Sequence, residues 1–338
     1  MKPRSTAVFI AVFGVLIALG VVAVVNQRPV QPEPFERVNR FGSVNLDEAY
    51  DLSGLTIPRD EVHTLLEKDA IPYIDDPELL PIGEVEHMRG NDRVIEITIN
   101  DESIAIPLKV LNYHEVVNTT VAGVPVAATY CPLCDSVSVF ERTVTPPASA
   151  GSPDPEPIVL AFGVTGALYN SNVLLYDRTH HGLWSQLGLQ AVSGPMVGTE
   201  LKHLPVRVVP FSQYRLAHPR GKTMDLLPVS LRMYNDEPYA QYFKDKNRLV
   251  VPVRSHGDEL PMKTLGLGIV AGERAYFVPA NAIRDRFVVR TPMGELVATR
   301  SEAGVRVERS PDGVHSVQSF YYAFSAFHPH AEVVRTSD

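Results

Sequence analysis

Prolines recur along the whole chain and limit the length that any of its helices can reach. The sequence has 28 prolines in 338 residues, and a proline inside a helix removes a hydrogen bond and clashes with the preceding turn. Between the prolines, short runs such as residues 94–99 alternate apolar and polar side chains and end at turn residues. We therefore expect a mainly β fold, a β-rich α+β architecture in which the helices are short.

The N-terminal segment has a different character from the rest of the chain. Residues 7–25 contain no charged side chain, and a run of this length spans a hydrocarbon core of about 30 Å. We expect a signal-anchor helix at 7–25, with residues 1–6 in the cytoplasm and residues 26–49 as a linker. Lys2 and Arg4 precede the run, so the positive-inside rule places the remainder in the periplasm or at the cell surface. A cleaved signal peptide is the alternative.

The charge of the chain bears on its partners. The formal net charge is -8 and the sequence pI is about 5.8, and no basic stripe is visible along the sequence. Nucleic acid is therefore excluded as an expected partner. The membrane is expected only through the N-terminal helix, and the sequence does not identify a protein partner or a small ligand.

A weak internal repeat suggests how the exported part is organised. Residues 97–111 resemble residues 268–283, and residues 123–127 resemble residues 294–298. We expect two pseudo-repeated β halves, at about 50–190 and 200–335, that form one compact extracytoplasmic unit. Within the first half, residues 61–68 are expected to form a short helix.

Cys131 and Cys134 are the only two cysteines, and two residues separate them. We expect a pair this close to act as one unit. It is a metal-binding knuckle, a dithiol that is reversibly oxidised to a disulfide, or a structural disulfide. Strand-like runs at 124–129 and 136–142 flank the pair, which favours a knuckle over the helix N-terminus of thioredoxin-like proteins. A knuckle supplies two ligands, so zinc or copper would need histidine or carboxylate as well.

Two histidines are the expected additional ligands. His114 lies on a short helical stretch before the cysteines, and its neighbour Glu115 is a candidate general base or supporting carboxylate. His328 and His330 are spaced so that an extended backbone would point both to the same side. His328 is the stronger candidate of these two.

Uncharged polar and aromatic residues are the expected lining of a pocket beside the cysteines. This group combines amides with aromatic rings, which suits a neutral or weakly polar ligand. Its members are Tyr130, Asn170, Asn172, Trp184 and Gln186.

Several phrases of the sequence together resemble one known family. They are Ile57-Pro58-Arg59-Asp60, the run from Asn112 to Asn118, the run from Thr129 to Cys134, the runs 162–166 and 168–172, Trp184-Ser185-Gln186 and Phe327-His328-Pro329. These phrases resemble the exported family catalogued as domain of unknown function 3179, over about residues 50–335. The resemblance implies the domain extent and an extracytoplasmic setting, but no chemistry. Asp135 departs from the glycine expected after the second cysteine.

The sequence leads to one first hypothesis and two alternatives. The first is a membrane-anchored protein that binds zinc or copper through Cys131, Cys134, His114 and His328. The second is a thiol–disulfide oxidoreductase in which Cys131 attacks and Cys134 resolves. The third is a binding or scaffold module with a structural disulfide. No G-x-S-x-G elbow, P-loop or G-x-G-x-x-G phrase occurs, and whether the chain is an enzyme stays open.

Overall fold

The computed structural model describes residues 44–148, 155–226 and 232–337. The expected signal-anchor at 7–25 and most of the linker at 26–49 lie outside these ranges. Within the ranges, no helix has both the length and the apolar character needed to cross a membrane.

The helices are short, as the prolines predict. Those with both ends in the described ranges are α1 (Leu46–Ala49), α2 (Leu108–His114), α3 (Phe211–Ala217), α4 (Ala240–Lys244) and α5 (Tyr321–Phe327). Pro107 and Pro210 stand directly before α2 and α3, where a fixed φ angle and a missing N–H suit the start of a helix. Single 3-10 turns occur at Arg59–Glu61, Ile82–Glu84 and Pro132–Cys134.

Strands make up most of the regular structure, and the mainly β prediction is confirmed. The first twelve are β1 (Val62–Thr64), β2 (Ile74–Asp75), β3 (Leu79–Pro81), β4 (Arg93–Ile99), β5 (Glu102–Pro107), β6 (Val116–Val121), β7 (Val124–Cys131), β8 (Ser136–Glu141), β9 (Thr143–Val144), β10 (Ile158–Val159), β11 (Phe162–Tyr169) and β12 (Asn172–Asp177). The others are β13 (Leu183–Ser185), β14 (Gln190–Ala191), β15 (His203–Leu204), β16 (Val208–Pro210), β17 (Lys222–Met224), β18 (Leu265–Ala271), β19 (Arg274–Pro279), β20 (Phe287–Thr291), β21 (Gly294–Arg300), β22 (Val305–Arg309), β23 (Val314–Phe320) and β24 (Glu332–Val333).

A large central sheet organises the molecule. Its strand order is β2-β6-β7-β8-β23-β18-β19-β24, and β15 also pairs with β8. Two further sheets have the orders β16-β4-β5-β17-β3 and β1-β11-β12-β13-β14, and smaller ones are β20-β21-β22 and β10-β9.

Each face of the central sheet borders its own hydrophobic core, because side chains on a strand alternate between faces. On β7, Ala128 and Tyr130 belong to a core shared with β4, β5 and β20–β22. Ala127 and Cys131 belong to a second core, shared with β11–β14 and α5. The end of β7 therefore places Cys131 on the face covered by the β11–β14 sheet.

Two groups of four strands follow the same order. In one sheet β16-β4-β5-β17 are adjacent, and in the central sheet β23-β18-β19-β24 are adjacent. In both groups the first strand is antiparallel to the hairpin and the last is parallel to it. A seven-residue helix, α3 or α5, joins the outer strands in each case. β16 and β17 lie beyond residue 200, yet they pair with β4 and β5 of the expected first half. The division into halves at 50–190 and 200–335 therefore stays a prediction.

The short helix expected at 61–68 is wrong. A 3-10 turn ends at Glu61, and Val62–Thr64 form β1, which pairs antiparallel with Ala167–Tyr169 of β11. Pairing with an available sheet edge overrides the local helical preference of this run.

Candidate functional site

The cysteines lie at the turn between β7 and β8. Cys131 ends β7, a 3-10 turn covers Pro132–Cys134, and Ser136 opens β8 opposite Cys131. Both cysteines are free thiols, with exposed fractions of 1% and 0%. The expected strand–turn–strand arrangement is present, and the turn delivers both sulfur atoms into the second core.

Asp135 fixes this turn from the opposite side of the sheet. Its backbone is left-handed (φ 43°), a conformation that aspartate tolerates better than most residues. Arg93 Nη2 donates to both carboxylate oxygens of Asp135 at 3.0 and 3.1 Å, and the Tyr130 hydroxyl donates to Oδ1 at 2.9 Å. The carboxylate thus accounts for the aspartate found where glycine was expected. Tyr130 packs in the core on the other face of the sheet, and its assignment to the pocket lining stays a prediction.

Hydrogen-bonding groups surround the Cys134 sulfur. Asn172 Nδ2 donates to Sγ at 3.2 Å, and the Ser136 hydroxyl lies 3.3 Å from it. Burial works to raise the pKa of the Cys134 thiol, but hydrogen bonds from Cys131, Ser136 and Asn172 outweigh it and hold the pKa below its ordinary value. The site is therefore built to accept a thiolate at Cys134.

Amides and hydroxyls hold Asn172 in this orientation. Asn172 Oδ1 accepts from the Leu187 backbone N–H at 3.2 Å, which points Nδ2 toward the sulfur. Gln186 Oε1 accepts from Asn172 at 2.8 Å and from Ser136 at 2.6 Å, while Gln186 Nε2 donates to Thr129 Oγ1 at 2.9 Å. These four polar side chains are buried, and their mutual bonds satisfy them and restrain them together.

The pKa of the Cys131 thiol is shifted in the opposite direction from that of Cys134. Burial raises the pKa of the Cys131 thiol well above its ordinary value, and its hydrogen bond to Cys134 adds to the effect. A thiol that donates to a neighbouring thiolate is stabilised in its protonated form. Loss of a proton is therefore favoured at Cys134 over Cys131.

Tyrosines close the space above the two sulfur atoms. The Tyr322 hydroxyl from α5 donates to the Leu133 carbonyl at 3.0 Å and lies 3.5 Å from the hydroxyl of Tyr242 on α4. Burial and the charges of the cysteines raise the pKa values of Tyr242 and Tyr322. Tyr239 lies nearby, since burial and the charges of Glu115 and Cys131 raise its pKa. The described part of the segment between β17 and β18 therefore covers the cysteines.

Glu115 is a buried residue whose backbone lies against the end of β7. It ends α2 in a left-handed conformation (φ 55°), and its carbonyl accepts from the Tyr130 N–H at 2.8 Å. Burial raises the pKa of its carboxyl well above the ordinary value, and the charge of Cys131 adds to this. A buried carboxylate is usually paired with a cation. Among the described residues, no cation forms an ion pair with Glu115.

The two expected histidine ligands have other partners. His114 Nδ1 lies 2.6 Å from the Pro72 carbonyl and Nε2 lies 2.8 Å from the Tyr234 hydroxyl. Burial lowers the pKa of His328, while a hydrogen bond to the Leu187 backbone opposes the shift. In the described ranges, no group of three His, Cys, Asp or Glu residues is placed to hold a metal ion. The four expected ligands are thus not brought into one cluster.

Four predicted residues, His328, His330, Asn170 and Trp184, lie in different parts of the fold. His328 directly follows α5 rather than lying on a strand, and His330 is exposed, so the expectation that they share one side of an extended strand is wrong. Asn170 lies in the turn between β11 and β12, where its amide approaches the Ala326 carbonyl at 3.4 Å. Trp184 is fully buried and donates to Asp177 Oδ2 at 3.0 Å.

A comparison with known protein families identifies the family of this chain. The family model described as "Protein of unknown function (DUF3179)" matches residues 68–312. The chain belongs to this family. No curated protein and no solved structure gives a significant match.

Several residues of the site in this DUF3179 protein are not evident from its sequence motifs. Thr129 and Ser136 share the Cys131 face of the β7–β8 hairpin, and the period-two alternation would have placed them there. The covering tyrosines, Tyr239, Tyr242 and Tyr322, are distant in sequence and carry no local signal. Asn172 and Gln186, by contrast, are predicted pocket residues that the structure places at the site.

Proposed function

We propose that this DUF3179 protein is a thiol–disulfide redox protein whose active pair is Cys131 and Cys134. The observation that carries the proposal is the environment of Cys134, in which Asn172 Nδ2 donates to the sulfur at 3.2 Å. The pKa of the Cys134 thiol lies below its ordinary value, whereas burial raises the pKa of the Cys131 thiol. A donor directed at the sulfur stabilises the thiolate, which is the reactive form of a cysteine.

The reaction is an exchange in which atoms and electrons balance. The Cys134 thiolate attacks a disulfide R–S–S–R, forms a mixed disulfide and releases one RS⁻. Cys131 then loses its proton and attacks the Cys134 sulfur, which forms the Cys131–Cys134 disulfide and releases a second RS⁻. The protein is oxidised by two electrons and the substrate disulfide is reduced by two. This order reverses the roles expected from the sequence, because the thiolate is favoured at Cys134.

The proposal is tested with the aromatic disulfide 5,5′-dithiobis(2-nitrobenzoate), whose thiolate product absorbs visible light. The native protein should release two thiolates per chain and end as an intramolecular disulfide, whereas Cys131→Ser should stop at a mixed disulfide on Cys134. Cys134→Ser should react at least about tenfold more slowly, since burial raises the pKa of its remaining thiol. A folded protein that releases no thiolate would refute the redox function.

Metal binding by the same pair is the competing function and stays a prediction. Two thiolates suit a soft ion such as Cu(I), and zinc would require further ligands. Metal analysis of protein purified without chelator distinguishes the two functions. About one ion per chain, lost in both Cys131→Ser and Cys134→Ser, would favour the metal site.

We further propose that residues 7–25 anchor the protein with its redox pair outside the cytoplasm. The uncharged run and the preceding Lys2 and Arg4 support this topology. An extracytoplasmic setting is also one in which disulfides persist and thiol–disulfide exchange has substrates. Labelling intact cells with a membrane-impermeant amine reagent should modify the protein if the topology is right.

We propose, finally, that the exported part derives from an internal repeat. The support is the shared order of β16-β4-β5-β17 and β23-β18-β19-β24, each with a short helix between its outer strands. The cysteines belong to the β6–β8 region and have no counterpart after residue 200, so only one of the two copies would carry the redox pair.

A further inference from the structure

The two cysteines have almost no exposed surface in this structure. Cys131 is 1% exposed and Cys134 is 0% exposed. Thiol–disulfide exchange begins when a thiolate attacks a disulfide sulfur, so its rate depends on access to the thiolate. The buried pair therefore cannot meet a substrate until some part of the surrounding structure moves.

Residues 232–253, which we call the cap, pass from one hydrophobic core to the other. Tyr234 is buried in the core of β4 and β5, whereas Val251 is buried in the core that contains both cysteines. Between them, the Tyr242 hydroxyl lies 3.5 Å from the Tyr322 hydroxyl, which donates to a carbonyl in the turn between the cysteines at 3.0 Å. The cap therefore lies over the turn that carries the two sulfur atoms.

Backbone hydrogen bonds do not tie the cap to the rest of the described fold. Among the described residues, each backbone-to-backbone bond of the cap joins two cap residues, such as the Phe243 N–H and the Tyr239 carbonyl at 2.9 Å. The segment after the cap differs, since the Met262 carbonyl accepts from the Tyr322 N–H at 2.9 Å. Contacts that involve side chains therefore hold the cap closed, and segments held in this way open at low free-energy cost.

One buried hydrogen bond joins the cap to the end of α2. His114 Nδ1 lies 2.6 Å from the Pro72 carbonyl, and Nε2 lies 2.8 Å from the Tyr234 hydroxyl. Because a carbonyl only accepts, Nδ1 carries the proton of the neutral ring, and Nε2 accepts from Tyr234. The Tyr234 ring also packs against Tyr113, with 5.9 Å between the ring centroids. Loss of the hydroxyl would leave a buried acceptor without a partner, so this bond stabilises the closed cap.

Lys263 contacts the cap from the segment that follows it. Its Nζ donates to the Tyr242 and Asp245 carbonyls at 2.5 and 2.7 Å. Burial also lowers the pKa of Lys263 to about 8, so the ammonium loses hydration in the closed arrangement, and this loss offsets the gain from the two bonds. The bond between the neutral His114 ring and Tyr234 has no such opposing cost of charge.

We propose that the cap must open before a disulfide can reach Cys134, and that the hydrogen bond between His114 and Tyr234 holds the cap closed. The inference rests on the redox function proposed above. Opening breaks this bond and exposes the sulfur atoms, after which the exchange proceeds. His114 then has a part in the exchange that does not involve a metal ion.

The test measures the first thiolate release from 5,5′-dithiobis(2-nitrobenzoate) by the full-length protein. Tyr234→Phe leaves His114 Nε2 without its partner in the closed form, so the open form becomes more populated and the first rate should rise about tenfold. Tyr50→Phe is the matched control, because it removes a buried hydroxyl that donates to the Thr165 carbonyl at 2.9 Å, outside the cap. It should change the first rate by less than about twofold.

Hydrogen exchange of the backbone amides distinguishes opening of the cap from general unfolding. In Tyr234→Phe, the amides of residues 232–253 should exchange about tenfold faster, while those of β6–β8 keep their native rates. Tyr50→Phe should leave the exchange of the cap unchanged. Faster exchange throughout the central sheet of Tyr234→Phe would overturn the proposal.

The remaining outcomes separate the cap from the redox function. An unchanged first rate in Tyr234→Phe, or an equal increase in Tyr50→Phe, would refute the role of the His114–Tyr234 bond. A first release as fast in the native protein as in the urea-unfolded chain would refute the cap. If neither the native protein nor folded Tyr234→Phe released thiolate, the redox function itself would be refuted, and the role of the cap with it.

Discussion

At the scale of single residues, the chemistry of the site depends on which atoms face each sulfur. Asn172 Nδ2 lies 3.2 Å from Cys134 Sγ, and its other amide atom is held by the Leu187 N–H. No described amide or hydroxyl side chain donates to the Cys131 sulfur, and burial raises the pKa of its thiol well above the ordinary value. The hydrogen bond with Cys131, which the CxxC spacing allows, is the largest of the contributions that lower the pKa of Cys134, and Ser136 and Asn172 add to it.

Replacement of Asn172 should raise the pKa of the Cys134 thiol. A hydrogen bond to a charged group contributes about 1.5–3 kcal/mol, so loss of this donor in Asn172→Ala should move the thiolate titration upward by about one to two pH units. Ultraviolet absorbance of the thiolate, followed against pH in a Cys131→Ser background, measures the change. Asn170→Ala removes an amide from the same hairpin and is the control. Equal titrations for the two variants would contradict the role of Asn172.

At the scale of elements, the β7–β8 hairpin delivers the cysteines, and Asp135 holds its turn. Local sequence was enough to predict both strands, although both faces of each strand are largely buried. The partners of the cysteines were harder to predict, since Asn172 is 38 residues from Cys134 and Tyr322 is 189 residues from Leu133. Contacts between residues so far apart in sequence depend on how the sheets pack against each other. Local sequence patterns do not reveal that packing. The histidines show the same limit, because residue type alone predicted ligands where the fold supplied other partners.

Changes at Asp135 should reveal how strongly this turn depends on its anchor. Asp135→Ala removes the partner of Arg93 and places alanine in a left-handed conformation, so it should lower the free energy of unfolding by about 2–4 kcal/mol. Asp135→Asn keeps a residue that tolerates this conformation and retains one acceptor, so its loss should be smaller, about 1–2 kcal/mol.

Urea unfolding of the two Asp135 variants measures the difference. Asp101→Ala changes an exposed aspartate in the β4–β5 turn and should alter the free energy of unfolding by less than about 0.5 kcal/mol. If Asp135→Ala were as stable as Asp135→Asn, the proposed anchor would be refuted.

At the scale of the whole molecule, the fold keeps several histidines neutral inside its cores. Burial lowers the pKa of His203 to about 3, and the charge of the adjacent His315 contributes. His203 Nδ1 lies 3.0 Å from the Ser138 hydroxyl, and its ring packs against Phe140. Burial lowers the pKa values of His114 and His328 as well. Protonation of these rings therefore favours the unfolded chain.

Stability should fall as the solution is acidified. In the unfolded chain His203 titrates near pH 6.5, so its contribution is complete above that pH and is lost progressively between about pH 6.5 and pH 3. Between pH 7 and pH 4 this residue alone should account for about 3 kcal/mol of lost stability. His203→Gln should make the melting temperature less dependent on pH, whereas exposed His330→Gln should not. A His203→Gln variant as sensitive to acid as the native protein would contradict this account.

The central claim is that Cys131 and Cys134 form a pair that cycles between dithiol and disulfide in the folded protein. Equilibration with glutathione buffers of known potential, followed by alkylation of free thiols and intact mass measurement, tests it directly. The account predicts a reversible two-electron transition between about -270 and -120 mV, with the fold retained in both states. Thiols that stay reduced in the most oxidising buffer, or that oxidise only when the protein unfolds, would contradict it.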